Sequence, residues 1–191
     1  MNTKQFIEEM NTQNKIEIGS EAFELMHELS QEALKLTMEL NNKYHTLEEI
    51  VEIFSQITGK DVDKTFRMFP PFYTDCGKNI TVGKNVFINC CCKFQDQGGI
   101  TIGNGVFIGH NVVIATLNHD INHNNRPAMT PKKVQIEDNV WIGSNVTILP
   151  GVTIHAGSII GAGCVVTKDI PANHIAVGNP CKVLRKIEEK N

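Results

Sequence analysis

Several features that would fix a function class are missing from this chain. There is no apolar run approaching the length of a membrane-spanning helix. The first fifteen residues are polar and contain two Glu, so they do not read as a secretory signal. No Cys-x-x-Cys pair occurs among the six cysteines Cys76, Cys90, Cys91, Cys92, Cys164 and Cys181. Three of them are consecutive, and consecutive side chains on a strand point to opposite faces, so they cannot converge on one metal. The remaining reading is a set of small, buried, reduced thiols in a cytoplasmic protein. An excess of either charge is also lacking. The net charge is −3, with 18 Lys and Arg against 21 Asp and Glu, which argues against nucleic acid or an anionic membrane as partner. Only one Trp, Trp141, is present.

What the chain does have is size and periodicity. Its 191 residues, 41% of them hydrophobic, suit one domain with an accessory element. Ala22, Leu25, Met26, Leu29, Ala33, Leu36 and Leu40 fall at helical spacing and predict a first helix ending at Asn41-Asn42. A second follows, with Thr46 and Glu49 placed as a capping box, Ile50, Ile53, Phe54 and Ile57 as its apolar face, and Gly59 as its stop. Pro70-Pro71 forbids further helix.

Beyond Cys76 the period becomes six. Ile136, Ile142, Ile148, Ile154, Ile160 and Val166 recur without a gap; Ile102, Ile108 and Ile114 do the same, as do Val82 and Ile88. Four residues after each anchor stands a small or β-branched residue, such as Val106, Val112, Val140, Val146 or Cys164. Neither a helix nor ordinary hairpins produce this spacing. A chain that turns a corner every six residues does: three short strands make one triangular coil, coils stack, and like side chains lie above like in an interior ladder. Two interruptions stand out, fourteen residues from Ile88 to Ile102 and twenty-two from Ile114 to Ile136. The second contains a polar excursion at 117–133, where function is expected on an otherwise regular solenoid. The predicted organisation is a helical segment at 1–69, the β-helix at 70–171, and a tail at 172–191 whose Val183–Ile187 stretch forms a final strand or short helix.

Asn139-Val140-Trp141-Ile142-Gly143-Ser144, Pro150-Gly151-Val152-Thr153-Ile154, Ile160-Gly161-Ala162-Gly163, Val166-Thr167-Lys168-Asp169-Ile170-Pro171 and Gly178-Asn179-Pro180-Cys181-Lys182-Val183 resemble the maltose/galactoside O-acetyltransferase branch of the hexapeptide-repeat acyltransferases. Glu39-Leu40-Asn41, Pro71-Phe72 and Asp75-Cys76-Gly77-Lys78-Asn79-Ile80 fit the same branch. The resemblance covers nearly the whole chain. It implies a left-handed parallel β-helix, a homotrimer with active sites between neighbouring subunits, and acetyl-CoA as co-substrate with no metal. The hand cannot be read from spacing, because parallel crossovers are almost always right-handed.

By this resemblance His119 is the general base. Acetyl transfer to an alcohol needs a group that takes the hydroxyl proton as oxygen attacks a thioester, and an imidazole, with an ordinary pKa near about 6.5, suits this. On residues alone, a solvated loop histidine fits as well. Asp120 follows where this branch usually has Pro, and either orients the imidazole or faces water. Asp75, Asn89 and Gln97 are the implied acceptor-binding positions, with Asp96 beside Gln97 as a carboxylate that could take its place; Asn89 also reads as a corner residue. Ser144, Ala162 and Thr167 match the pantetheine groove, and Lys168, Lys182 and Arg185 form a basic set suited to CoA phosphates. Trp141 is grouped with them, either packed at the trimer interface or flanking the acceptor site. The expected reaction is acetyl transfer to a hydroxyl of a small maltose- or galactoside-like sugar. Other acceptors (a polysaccharide unit, a sugar amine, an antibiotic), a zinc lyase of the γ-carbonic anhydrase type using His119 and His123, and a non-catalytic scaffold are the competing readings.

Overall fold

The computed structural model describes residues 1–12 and 14–188. Three helices come first: α1 (Thr3–Asn11), α2 (Glu21–Asn41) and α3 (Leu47–Thr58). The last two are those the periodicity predicts. In α3, Thr46 and Glu49 exchange both capping bonds, and Gly59 ends the helix in the left-handed region at φ 67°. On α2 the buried stripe is Ala22, Met26, Leu29, Ala33, Thr37 and Leu40, with Leu25 and Leu36 only half-buried at its edges. The short α1 is not revealed by apolar periodicity. Its signals are local: an Asn2–Gln5 capping box, and Phe6 and Met10 on one side, both fully buried.

From Arg67 the chain winds as a parallel β-helix with three faces. The first face stacks Arg67–Met68, Phe87–Ile88, Phe107–Ile108, Trp141–Ile142, Ile159–Ile160 and His174–Val177 in order. The second stacks Phe72–Thr74, Cys92–Gln95, Val113–Ala115, Thr147–Ile148 and Val165–Val166. The third stacks Ile80–Val82, Ile100–Ile102, Val134–Ile136 and Thr153–Ile154. All these pairings are parallel, and the anchors fall in register: Ile88, Ile108, Ile142 and Ile160 on the first face, Phe94, Ile114, Ile148 and Val166 on the second, Val82, Ile102, Ile136 and Ile154 on the third. The result is one aliphatic ladder, almost wholly buried, in which each Ile contributes about 1.5–3 kcal/mol of burial.

A coil stack has two open ends, and both are closed. At the start, Phe54 of α3 stacks on Phe66 at 4.5 Å and meets Phe72 edge-on at 5.6 Å, while the Asn41 amide at the end of α2 bonds both the N–H and the C=O of Phe72. At the far end a final strand, Lys182–Lys186, runs antiparallel to His174–Val177. The coil thus starts at Arg67 and continues past Pro171, so the tail region contributes two paired strands. The irregularities in the repeat share one edge. Thr74 to Val82 and Phe94 to Ile102 each span eight residues instead of six, and the excursion leaves after Ala115. All three lie at the corner between the second and third faces.

Candidate active site

The excursion is a hairpin. Leu117–His119 pairs antiparallel with Met129–Pro131, and a 3₁₀ turn at His123–Asn125 lies between them. It is held down by the N-terminal helices, since Leu117 and Met129 share a core with Phe6, Met10, Ile16, Met26 and Cys76. Ile16 and Met129 exchange backbone hydrogen bonds of 2.7 and 3.0 Å. This anchoring fixes the direction in which His119 leaves the strand. Its Nδ1 lies 2.9 Å from the carbonyl oxygen of Arg126. A carbonyl can only accept, so that contact places the proton on Nδ1 and leaves the Nε2 lone pair free on an exposed imidazole. Asp120 neither orients this ring nor simply faces water. Its carboxylate pairs with Lys15 and accepts from the Asn122 N–H and the Asn125 side-chain amide, which holds it below the usual carboxylate range. The orienting group, the Arg126 backbone carbonyl, has no sequence signature.

Beneath the hairpin, the same corner carries Asp75, Asp96 and Gln97. Asp96 is corrected by the structure. It is 0% exposed, and its oxygens accept from the Thr74 hydroxyl at 2.6 Å, the Cys76 and Gly77 N–H groups at 2.9 Å, and the Asn79 N–H at 3.2 Å. A carboxylate so committed ties the first two coils together and has nothing to offer an acceptor. Gln97 is nearly buried, and its Oε1 has no partner among the described residues. Asp75 is exposed, yet its carboxyl is raised by desolvation at the corner and then by the Asp96 charge, with the Gln97 bond opposing.

A second feature lies one corner away, between the first and second faces. A groove of about 500 Å³ runs along it past Asn89, His110, Trp141, Ser144 and Ala162, over Gly109, Gly143 and Gly161. The glycines are required by the stacking. A Cβ on Gly109 would stand 2.6 Å from the Ser144 backbone nitrogen, and one on Gly143 would stand 2.7 Å from that of Ala162. The groove floor is therefore bare backbone. Ser144 accepts a 3.2 Å hydrogen bond from the His110 N–H, and the His110 ring lies 3.3 Å from the same hydroxyl. In the sequence His110 stands at an ordinary position of the six-residue repeat, and only the stacking of coils brings it to Ser144. Trp141 is 56% exposed beside this groove.

The structure thus joins Asn89, Trp141, Ser144 and Ala162 in one groove, and groups His119, Asp75 and Gln97 at another corner. Thr167 and Lys168 are exposed immediately after Val165–Val166, at the hairpin's corner and not in the groove; Lys182 and Arg185 are exposed on the final strand. Among the described residues, no three His, Cys, Asp or Glu side chains converge as a metal site, and no helix is long and apolar enough to cross a membrane.

Comparison with known proteins agrees with this architecture. The family described as bacterial transferase hexapeptide (six repeats) matches residues 133–168. A galactoside O-acetyltransferase from Lactococcus lactis is 41% identical over 165 residues, covering 84% of this chain and 79% of that protein. The crystal structure of a maltose O-acetyltransferase from Clostridium difficile 630 superposes with a TM-score of 0.87 at 40% identity, covering 96% and 97% of the two chains. A hexapeptide-repeat acetyltransferase from Vibrio cholerae O1 biovar eltor, solved with acetyl coenzyme A, gives 0.81 at 29% identity, covering 96% and 99%. With relatives of 40% identity or more covering at least four-fifths of its length, the chain belongs to the hexapeptide-repeat acetyltransferases, in the group of the galactoside and maltose O-acetyltransferases.

Proposed function

We propose that this protein transfers the acetyl group of acetyl-CoA to a hydroxyl of a small, maltose- or galactoside-like sugar, with His119 as general base, in a homotrimer whose active sites lie between copies. The observation that carries the reading is the His119 Nδ1 contact with the Arg126 carbonyl. Nε2 is left to take the proton of an acceptor hydroxyl as its oxygen attacks the thioester carbon; the carbon–sulfur bond breaks, and the imidazolium can return the proton to the leaving thiolate. The groove between the first and second faces suits the donor. Its bare glycine floor and the small Ala162 leave room for a thin pantetheine arm, with the Ser144 hydroxyl alongside. Thr167, Lys168, Lys182 and Arg185 are the positions assigned to the rest of CoA, the cations serving its phosphates. Asp75, Asn89 and Gln97 are assigned to the acceptor, whose hydroxyls a carboxylate and two amides can bind.

Two features support a site shared between copies. Within one chain, the groove and His119 lie at different corners, separated by the width of the second face, roughly 15 Å at a strand's rise of about 3.3 Å per residue. The outside of the first face also carries an uncovered apolar stripe: Phe69, Phe107 and Trp141 are each more than half exposed, and Phe87 lies edge-on to Phe69 at 5.2 Å. A neighbour that covers this stripe with its hairpin side would bring its His119 to the groove. Such a contact joins two different surfaces, and a threefold rotation between copies closes it as the proposed trimer.

Thiol release from acetyl-CoA, measured against a panel of mono- and disaccharides, amino sugars and hydroxylated antibiotics, tests the acceptor. His119→Ala should lower turnover on the order of 10²-fold or more with CoA binding retained by calorimetry. Unchanged turnover removes His119 from the mechanism, and a monomer by sedimentation removes the shared site. A second reading keeps the chemistry and changes the acceptor to a polysaccharide unit, a sugar amine or an antibiotic. The unpartnered Gln97 Oε1 beside Asp75 favours a ligand with a hydrogen-bond donor there, which all of these carry.

A further inference from the structure

Among the described residues, the two most exposed large hydrophobic side chains are Ile121, at 93%, and Tyr44, at 88%. They belong to different features. Ile121 stands at the turn of the hairpin, two residues past His119; Tyr44 stands in the loop between α2 and α3. Tyr44 borders a cavity of about 580 Å³ at the foot of the first face, with Leu47 and Phe69 exposed at its rim and the buried Ile50 and Met68 behind them. Polar groups in its wall are already engaged. The Asn41 amide bonds Phe72, His45 Nε2 lies 2.9 Å from the Glu39 carbonyl oxygen, and Lys43 pairs with Glu39. Such a cavity offers apolar surface and few free hydrogen-bonding groups, so it suits an aliphatic side chain better than a sugar.

We propose, on the reading that the site is shared between copies, that Ile121 of one copy fills this cavity on the next and thereby fixes where His119 meets the groove. Phe69 belongs both to the cavity rim and to the exposed apolar stripe, so the socket continues the surface that the neighbour covers. The levels agree as well. The hairpin packs against Cys76 of the first coil, and Arg67–Met68, just before Phe69, opens that same coil. A stripe that runs along the coil is covered over its length by a neighbour standing alongside. A threefold axis parallel to the coil keeps every residue at its own level, so a hairpin at the first coil meets a cavity at the first coil. The turn is also held as one unit with the base. The Arg126 guanidinium donates to the Ile121 carbonyl at 3.1 Å, and the Arg126 carbonyl oxygen lies 2.9 Å from His119 Nδ1. One residue therefore ties the backbone of Ile121 to the imidazole, and seating the first sets the second. Ile121 acts through His119 and is a positioning residue.

The experiment places a photo-cross-linking benzophenone amino acid at position 121 of the full chain and maps the products by peptide mass analysis, beside sedimentation and kinetics of side-chain variants. The expected product joins two copies, from position 121 of one to the stretch 41–71 of another. Ile121→Ser should weaken trimer association on the order of tenfold or more. At concentrations where it is still trimeric, its kcat should fall roughly tenfold while CoA binding by calorimetry stays unchanged. Ile121→Leu should restore both. Tyr44→Ala should give losses of the same kind, and adding it to Ile121→Ser should cost little more, because each removes the same contact. In a protein that is trimeric and active, a cross-link to any other stretch, or Ile121→Ser with wild-type association and kcat, overturns this contact and leaves the shared site standing. A monomeric wild type overturns both.

Discussion

Replacement of Asp96 separates a structural carboxylate from a ligand-binding one. Its side chain is buried and accepts four hydrogen bonds, three from backbone N–H groups and one from Thr74. In Asp96→Ala those donors are left in a dry corner, each at about 1–3 kcal/mol. Part of that sum returns because the buried charge also goes, so the expected loss is about 4–6 kcal/mol. For a chain of this size, roughly 2–4 °C per kcal/mol places the unfolding midpoint about 10–20 °C lower. Asp96→Asn keeps one acceptor oxygen for the Thr74, Cys76 and Gly77 donors but turns an amide NH₂ toward the Asn79 N–H, and should lose about half as much. Denaturant and thermal unfolding measure the loss directly. Acceptor KM, taken on whatever fraction folds at low temperature, should change little. If Asp96→Ala unfolds within about 2 °C of the wild type while KM for the acceptor climbs steeply, the reasoning fails and Asp96 belongs in the binding pocket.

Other substitutions probe the site from different sides. Gly143→Ala forces a methyl against the Ala162 backbone and should cost about 1–3 kcal/mol while weakening CoA binding by calorimetry; Gly163→Ala, with open space around its Cβ but φ at 74°, should cost about 1 kcal/mol and leave CoA binding unchanged. The Asp75 carboxyl is raised in the folded chain, so the folded state holds its proton to higher pH than the unfolded state does. The charged form therefore weakens the fold at neutral pH, and Asp75→Asn should be more stable than the wild type there, with the advantage disappearing as pH falls below about 4. The same variant should show reduced kcat/KM, and equal stability at both pH values would contradict the shift. Asp120→Ala, in steady-state assays, should reduce turnover less than tenfold, far less than His119→Ala, because Asp120 engages Lys15 and the hairpin turn and not the imidazole; a loss as deep as that of His119→Ala would make it part of the base.

Much of the fold is legible in the sequence. A six-residue period with one large aliphatic residue per strand admits few backbones, because every anchor must be buried and each coil must place its anchors over those below. The registers of Ile108 on Ile142 and of Ile136 on Ile154 follow from that. The capping box of α3 is readable because its bonds join residues three apart. The short α1 escaped because two buried residues make no stripe. For the site, sequence singled out His119 and the groove residues by resemblance, but it could not tell Asp96 from Gln97. Adjacent residues in an irregular corner can face opposite ways, and only the packing of Thr74, Cys76 and Asn79 decides which is consumed.

The division has a physical basis. Local spacing determined the prism, its anchors and the position of the excursion, since those depend on which residues must leave water and how often. Tertiary structure decided which groups distant in sequence meet: the Arg126 carbonyl on His119, His110 on Ser144, and the Asp96 carboxylate on Thr74 and the Cys76 N–H. It also placed the groove and the hairpin at separate corners, since a chain that turns three times per coil assigns each residue to a corner by the running sum of all insertions before it.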